Sequence, residues 1–343
     1  MKRIIYYITD HGKGHATRSI AIIREMKKLG IDVMVRNSNA HKFIKNSLPK
    51  VQVIDGITDV GPIIKKDGIS IDENESINSI TKWIDDIDKL SNTECVIIKK
   101  FTPNLIISDI SVMPLLTSHK TKTPAITISN FSWYDVLNFL SKKTLEEIRC
   151  LYDYSDLHIQ LPLSTQLTHF KNKKSVGFVS RKPVMNTLDI RRELGIKKND
   201  FCVLLALGNS EKEIKLDCDE NIKFLTINTK TTKNNFSIDV SDWTEGQDLV
   251  SLSNLVICKC GYGFISECLT NGTPFFYVAS DNHLEQMAIS NGLKNYGLNT
   301  RISFNDISNM SFTNKFINDL QPISSQKNDT ANVINLIHEY IKN

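Results

Sequence analysis

Residues 3–36 read RIIYYITDHGKGHATRSIAIIREMKKLGIDVMVR, and the order of patterns in them decides the fold. Arg3 to Thr9 is a near-continuous apolar run, the signature of a strand buried on both faces. From about Ala16 to Leu29, Ile20, Ile23, Met26 and Lys27 recur at helical spacing, and Gly30 stops the helix. Asp32 to Arg36 is a second strand, so the stretch is a strand-helix-strand unit whose crossover is expected to be right-handed. Between the first strand and the helix lies the loop DHGKGH. Gly12 and Gly14 there let the backbone approach a ligand closely, and the free N–H groups of a helix start favour an anion. The same glycines would also serve a purely structural turn.

The pattern recurs. Strands at Val51 to Ile54, Leu105 to Ser108 ending at Asp109, Ala125 to Ser129 and His158 to Gln160 alternate with helical stretches at Ser76 to Leu90 and Ser141 to Tyr152. Such alternation predicts a doubly wound, mostly parallel α/β sheet. The polar, Pro-containing stretch Ser180 to Asn199, with a short helical piece at Leu188 to Leu194, reads as a domain boundary. A second series follows: Cys202 to Leu207 ending in Gly208-Asn209-Ser210, then Phe224 to Ile227, Leu255 to Cys258 and Phe275 to Val278. Finally Val333, Ile334, Leu336, Ile337 and Tyr340 line one side of a helix from about Thr330 to Ile341. The expected domains are 1–179 and 180–327, with 328–343 as a terminal helix. Tandem α/β domains bind ligands at the carboxyl ends of their strands, in the cleft they leave between them.

A chain of 343 residues exceeds the about 100 to 200 residues of one domain, in agreement with that division. Lys plus Arg exceed Asp plus Glu by 42 to 38, an excess too small and too dispersed for nucleic acid, though it tolerates an anionic ligand. No apolar run is long enough for a membrane span, and MKRIIYYITD turns polar too soon for a signal peptide, so a cytoplasmic protein is expected. Seven scattered cysteines predict reduced thiols, and Cys258-x-Cys260 sits in an apolar run as a buried strand would. A third glycine for a dinucleotide fingerprint is missing, as is GxxxxGK[ST], which sets NAD-enzyme and P-loop readings aside.

His15 stands at a helix start, where the dipole disfavours imidazolium and leaves the neutral imidazole that a general base requires. A bond to a backbone carbonyl is the alternative. His11 precedes it by four residues, but a metal pair would need a third ligand nearby. The second glycine loop, KCGYGFISE at 259–267, again follows an apolar strand. Its Glu267 is expected about one turn into a helix at Ser266 to Asn271, either accepting hydrogen bonds from ribose hydroxyls or facing the dipole. DNHLEQ at 281–286 would bond sugar hydroxyls or cap the next helix. Asp86-x-Asp88 and Asp217-x-Asp219 read as solvated surface, not as metal-binding DxD motifs. In Asn130-Phe131-Ser132-Trp133-Tyr134, Trp133 would stack on an acceptor or pack in the core, and Trp243 would help close a base pocket or be ordinarily buried.

With these residues in view the chain resembles the two-domain glycosyltransferases of the GT-B fold, specifically the MurG-like group called family 28. Gly261-x-Gly263-x-x-Ser266-Glu267, Gly272-x-Pro274 and Glu285-Gln286 are similar to that group's nucleotide-sugar signature, and GKGHATRS to its acceptor-side loop. The match is specific from about Asp242 to Gly297 and loose at 55–101 and 212–241. Through GHATRS, Ser108-Asp109 and Asn130 to Trp133, the first half also resembles the glycosyltransferase-like domain of plant-type L-arabinokinases.

The resemblance implies two Rossmann-like domains facing each other across a cleft, with the terminal helix crossing back to the first. It implies a UDP-sugar donor in the second domain: Glu267 on the ribose, Gly261, Gly263 and Ser266 along the diphosphate, Glu285 and Gln286 at the sugar. Gly208, His283 and Trp243 complete the nucleotide-sugar candidates. Gly12, Gly14, His11 and Trp133 fall on the acceptor side, with His15 as base and Asp109 to orient it or act in its place. The implied reaction is a metal-independent transfer, hexosyl or N-acetylglucosaminyl in type, with no cofactor and with no nucleic acid as partner. DHGKGH lacks the fuller GGTGGH of MurG, so the sugar and the saccharide or lipid-linked acceptor stay open, as does peripheral docking at the inner face of a membrane. No kinase domain follows residue 343, so arabinokinase activity is not expected. The rival readings are a UDP-sugar epimerase of the same fold, built on Asp109, His283 and Glu285, and a non-catalytic nucleotide-sugar binder.

Overall fold

The computed structural model describes residues 2–68, 70–208, 213–232 and 236–342. Asn209 and Ser210 lie outside them. The chain forms two compact units, Met1–Ile63 with Ile71–Val179 and Asn328–Asn343, and Ile64–Ser70 with Ser180–Lys327. The seven residues from Ile64, expected with the first domain, thus belong to the second unit.

In the first unit β1 (Arg3–Ile8), α1 (Gly14–Lys28), β2 (Asp32–Arg36), α2 (His41–Ser47), β3 (Gln52–Ile54), α3 (Glu73–Asp85) and α4 (Ile87–Phe101) come first. They are followed by β4 (Leu105–Asp109), α5 (Met113–Thr121), β5 (Ala125–Ser129), α6 (Trp133–Val136), α7 (Lys142–Tyr152), β6 (Leu157–Gln160) and β7 (Lys173–Ser175). The strands form one parallel sheet in the order β3-β2-β1-β4-β5-β6-β7. Ile4 to Ile8 of β1 are wholly buried, each such side chain contributing about 1.5–3 kcal/mol. The order reverses between β1 and β4. Loops at that carboxyl end flank the crevice where doubly wound sheets take their ligands.

The structure replaces the single helical stretch expected at Ser76 to Leu90 with α3 and α4, joined at Asp86, and Asp72 caps α3 by accepting from Glu75 N–H at 3.2 Å. It also adds α5, buried on most sides (Met113, Pro114, Leu115, Thr117, Ser118), where no polar face exists to mark a period.

The second unit contains α8 (Thr187–Glu193), β8 (Phe201–Ala206), β9 (Asp217–Cys218), β10 (Ile222–Thr226), β11 (Ser237–Asp239), α9 (Gly246–Leu252) and β12 (Leu255–Lys259). Then come α10 (Tyr262–Asn271), β13 (Phe275–Val278), α11 (Leu284–Lys294), α12 (Phe304–Asn309), β14 (Ser311–Phe312) and α13 (Asn314–Asn318). Its parallel sheet runs β11-β10-β8-β12-β13, and β9 pairs with β14 separately. The reversal lies between β8 and β12, which puts Gly208 and Gly261 at the corresponding crevice. Val203, Leu205, Phe224, Leu255, Ile257 and Phe312 form its core.

The chain then returns to the first unit as α14 (Thr330–Lys342), which packs on α1. The return is fixed by Asp329, whose N–H donates to Phe178 O at 2.7 Å and whose Oδ2 accepts from Gly177 N–H at 2.9 Å. A side chain at Gly177 would put Cβ 2.8 Å from that of Asp329, hence glycine. All seven cysteines are free, and burial alone pushes the Cys258 thiol up to about 12. Among the described residues no helix is long and apolar enough to cross a membrane.

Candidate active site

In the first unit the glycine loop leaves β1, and Gly12 takes a left-handed φ of +78°, its N–H donating to Asp10 O at 3.0 Å. Nothing stands within 4 Å of a Cβ placed there, so the backbone conformation and not crowding selects glycine. Helix α1 begins at Gly14 without a side-chain cap, two residues earlier than the periodicity indicates. Its first N–H groups therefore remain available to an anion. Gly12, Lys13 and Gly14 are exposed, whereas His15 is buried in the first helical turn. Its ring meets Phe131 edge-on at 5.6 Å and lies 6.2 Å from that of His11.

Asp109 ends β4 within a set of side-chain donors. It is wholly buried, and Arg18 grips it bidentately, Nη2 to Oδ1 at 2.5 Å and Nε to Oδ2 at 2.8 Å, while Ser19 donates to Oδ2 at 2.9 Å. Arg18 Nη1 also donates to Asn130 Oδ1 at 2.5 Å. These contacts tie α1 to the end of β4 and, through Arg18 and Asn130, to the segment that follows β5. The next residue, Ile110, holds φ at +71°, costly for a β-branched side chain. Tyr152 Oη fixes it by donating to Ile110 O at 2.7 Å. Backbone strain of this kind concentrates at functional loops.

Trp133, expected either to stack on an acceptor or to pack, is buried: it meets His11 edge-on at 5.6 Å and Phe131 at 5.4 Å. Its Nε1 donates to Asp59 Oδ2 at 2.9 Å. Asp59, Arg18 and Asn130 escaped the sequence reading. For Arg18 a signal existed, because GHATRS and Ser108-Asp109 carry opposite charges on neighbouring motifs.

In the second unit α10 starts at Tyr262, four residues before the expected Ser266, with no side-chain cap at Gly261. Two site residues sit within the helix as a result. Gly263 lies inside the first turn, and Ser266 is buried with its hydroxyl donating to Gly263 O at 3.0 Å, so neither lines an open loop. Glu267 falls in the second turn and is buried, and its Oε1 accepts from Arg181 Nε at 2.8 Å. Burial raises the Glu267 carboxyl and Arg181 opposes the rise. Arg181 also donates to Thr244 O at 3.3 Å, tying Glu267 to the segment that carries the half-buried Trp243. Gly208, just after β8, has φ +76°.

Lys259 ends β12 as a largely buried cation that burial lowers and that Glu285 and Asp67 draw back up; it donates to Gly68 O. His283 precedes α11 with Nδ1 buried and without a hydrogen-bond partner among the described residues. Burial, then Lys259, pushes it down to about 4, so it is neutral at pH 7. Gln286 Oε1 accepts from Ser280 N–H at 2.8 Å, which shapes the 279–283 loop. Lys259, His283 and Glu285 thus share one electrostatic neighbourhood in the second unit, with Asp109 in the first unit locked by Arg18. Among the described residues no three His, Cys, Asp or Glu are placed to hold a metal.

Residues 2–152 match the family described as glycosyl transferase family 1. MurG of Acinetobacter baumannii is similar in structure, with a TM-score of 0.55 at 12% identity over 99% of this chain and 100% of that one. The fold is GT-B. A second GT-B structure, UGT89C1 of Arabidopsis thaliana complexed with UDP, gives a TM-score of 0.59 at 9% identity over 99% of each chain. L-arabinokinase of Arabidopsis thaliana is 23% identical over 319 residues, 85% of this GT-B chain, which spans 29% of that protein's length. The resemblance to GT-B glycosyltransferases, with MurG among the similar structures and L-arabinokinase among the similar sequences, therefore holds.

Proposed function

We propose that this GT-B protein is a glycosyltransferase that moves a sugar, a hexose or N-acetylhexosamine, from a UDP-sugar to a hydroxyl of a saccharide or lipid-linked acceptor. The observation that carries the reading is the second unit's switch point, where an uncapped α10 follows a buried strand and the Lys259 cation stands next to it. Departure of UDP leaves negative charge on the diphosphate, and oriented N–H groups at a helix start with a cation beside them stabilise such charge without a metal. Glu267 would accept from the ribose hydroxyls, and Trp243 would flank the base. Glu285, Gln286 and the neutral His283 would face the sugar.

On the acceptor side, His15 in the first turn of α1 would take the proton of the attacking hydroxyl. Asp109 would hold α1, and through it His15, in place. The UDP in one structural neighbour supports the choice of nucleotide. The MurG-like placement in family 28, a cytoplasmic location and peripheral docking on a membrane belong to the same proposal. The test incubates the protein with UDP-glucose and UDP-N-acetylglucosamine, with and without acceptor sugars, and follows products by mass spectrometry. Acceptor-dependent UDP release is the predicted outcome. An isomerised sugar would instead establish an epimerase, and binding without turnover a non-catalytic receptor.

A further inference from the structure

The loop after β3, in a region of loose resemblance, reaches into the first unit's site. Asp59 is buried there, and all its hydrogen-bond partners are donors: Thr9 Oγ1 at 2.9 Å and Asp10 N–H at 2.8 Å to Oδ1, and Trp133 Nε1–H at 2.9 Å to Oδ2. One carboxylate thus joins the first residues of the glycine loop to the indole. Trp133 is pinned a second time, its N–H donating to Tyr152 Oη at 3.0 Å. From the indole the contacts run outward, edge-on to His11 and, through Phe131, to His15. Gly61, two residues on, completes the wall, since a Cβ there would lie 2.5 Å from His11 Nδ1.

We propose that Asp59 is the positioning residue of this histidine pair, setting where His11 and His15 stand by clamping Trp133 and the start of the glycine loop. The inference rests on the transferase reading only for its effect on turnover. The clamp is a matter of geometry.

The arrangement is tense. Burial pushes the Asp59 carboxyl up to about 7 despite the donors, and Asp10 adds to the rise. The ionisable groups facing it are Asp10 from the loop after β1 and Tyr152 from α7, with His11 on the far side of the indole. An asparagine there would turn its NH₂ toward a donor N–H, so Asp59→Asn breaks the clamp while keeping the shape.

The test combines NMR with kinetics on the whole chain. In the wild type the Trp133 indole ¹H–¹⁵N resonance is expected to titrate near pH 7. The titration should vanish in Asp59→Asn and persist in His11→Gln, which separates Asp59 from the neighbouring imidazole. At pH 8 the His15 ring resonances should shift in both Asp59→Asn and Trp133→Phe, and the double variant should shift no further than either. With UDP-glucose as probe, kcat of Asp59→Asn should fall at least tenfold while UDP affinity stays within twofold. Unmoved His15 resonances in both single variants overturn the proposal, as does an indole titration that survives Asp59→Asn. If the wild type turns over no UDP-sugar, the transferase reading falls and the resonances alone decide the clamp.

Discussion

Replacing Glu267 by Gln tests the donor site with little disturbance of the fold. The amide keeps a carbonyl oxygen for Arg181 Nε–H, now 2.8 Å from Oε1, whereas Ala would remove that acceptor and leave the buried guanidinium to Thr244 O and Glu245. What Gln removes is charge on the acceptor offered to the ribose. Hydrogen bonds to a charged group contribute about 1.5–3 kcal/mol, which converts to UDP binding weaker by about 10- to 150-fold. Isothermal titration with UDP reads this directly. Thermal unfolding of Glu267→Gln checks that the fold is intact. An affinity within twofold of the wild type, with the fold intact, would refute the ribose assignment.

Three further outcomes follow from the same geometry. His15→Ala should leave UDP affinity unchanged and lower kcat by about 10²- to 10⁴-fold, the usual worth of a general base; full turnover in a UDP-release assay would remove it from the mechanism. Arg18→Met should cost about 3–5 kcal/mol in urea unfolding, because it leaves Asp109 buried without its partner, and a loss below about 1 kcal/mol would contradict the anchoring role. Stability should also fall in acid through His283. Its folded pKa of about 4 lies below the ordinary 6.5, so the unfolded chain takes the proton first and stability is lost as pH drops between those values. Between pH 7.5 and pH 5 this amounts to about 2 kcal/mol, which His283→Asn should abolish; parallel pH profiles for variant and wild type would count against it. Asp59, raised to about 7, works in the opposite sense and favours folding as pH falls toward about 4.

The two sheets were legible because strands buried on both faces write themselves as apolar runs. Ala125–Ser129 and Phe275–Val278 are the clearest cases. α5 was not, since a helix buried nearly all round has no polar side to set a period. The start of α10 was misplaced because Gly261-Tyr262-Gly263 reads as turn, while the folded chain accommodates Gly263 within a helix whose early start moves Glu267 inward. Pair chemistry was the other blind spot. The opposite charges of GHATRS and Ser108-Asp109 were in view, but only the fold sets Arg18 against Asp109, 91 positions away. Asp59 carries no motif at all; its importance comes from three donors converging on it, two from the loop after β1 and one from α6.

Hydrogen exchange of the whole protein with and without UDP tests the central claim most directly. Protection of the backbone at 261–271 and 243–247, with 12–17 unchanged by UDP alone, is the predicted pattern. Protection confined to 12–17, or none at saturating UDP, would contradict a donor site in the second unit.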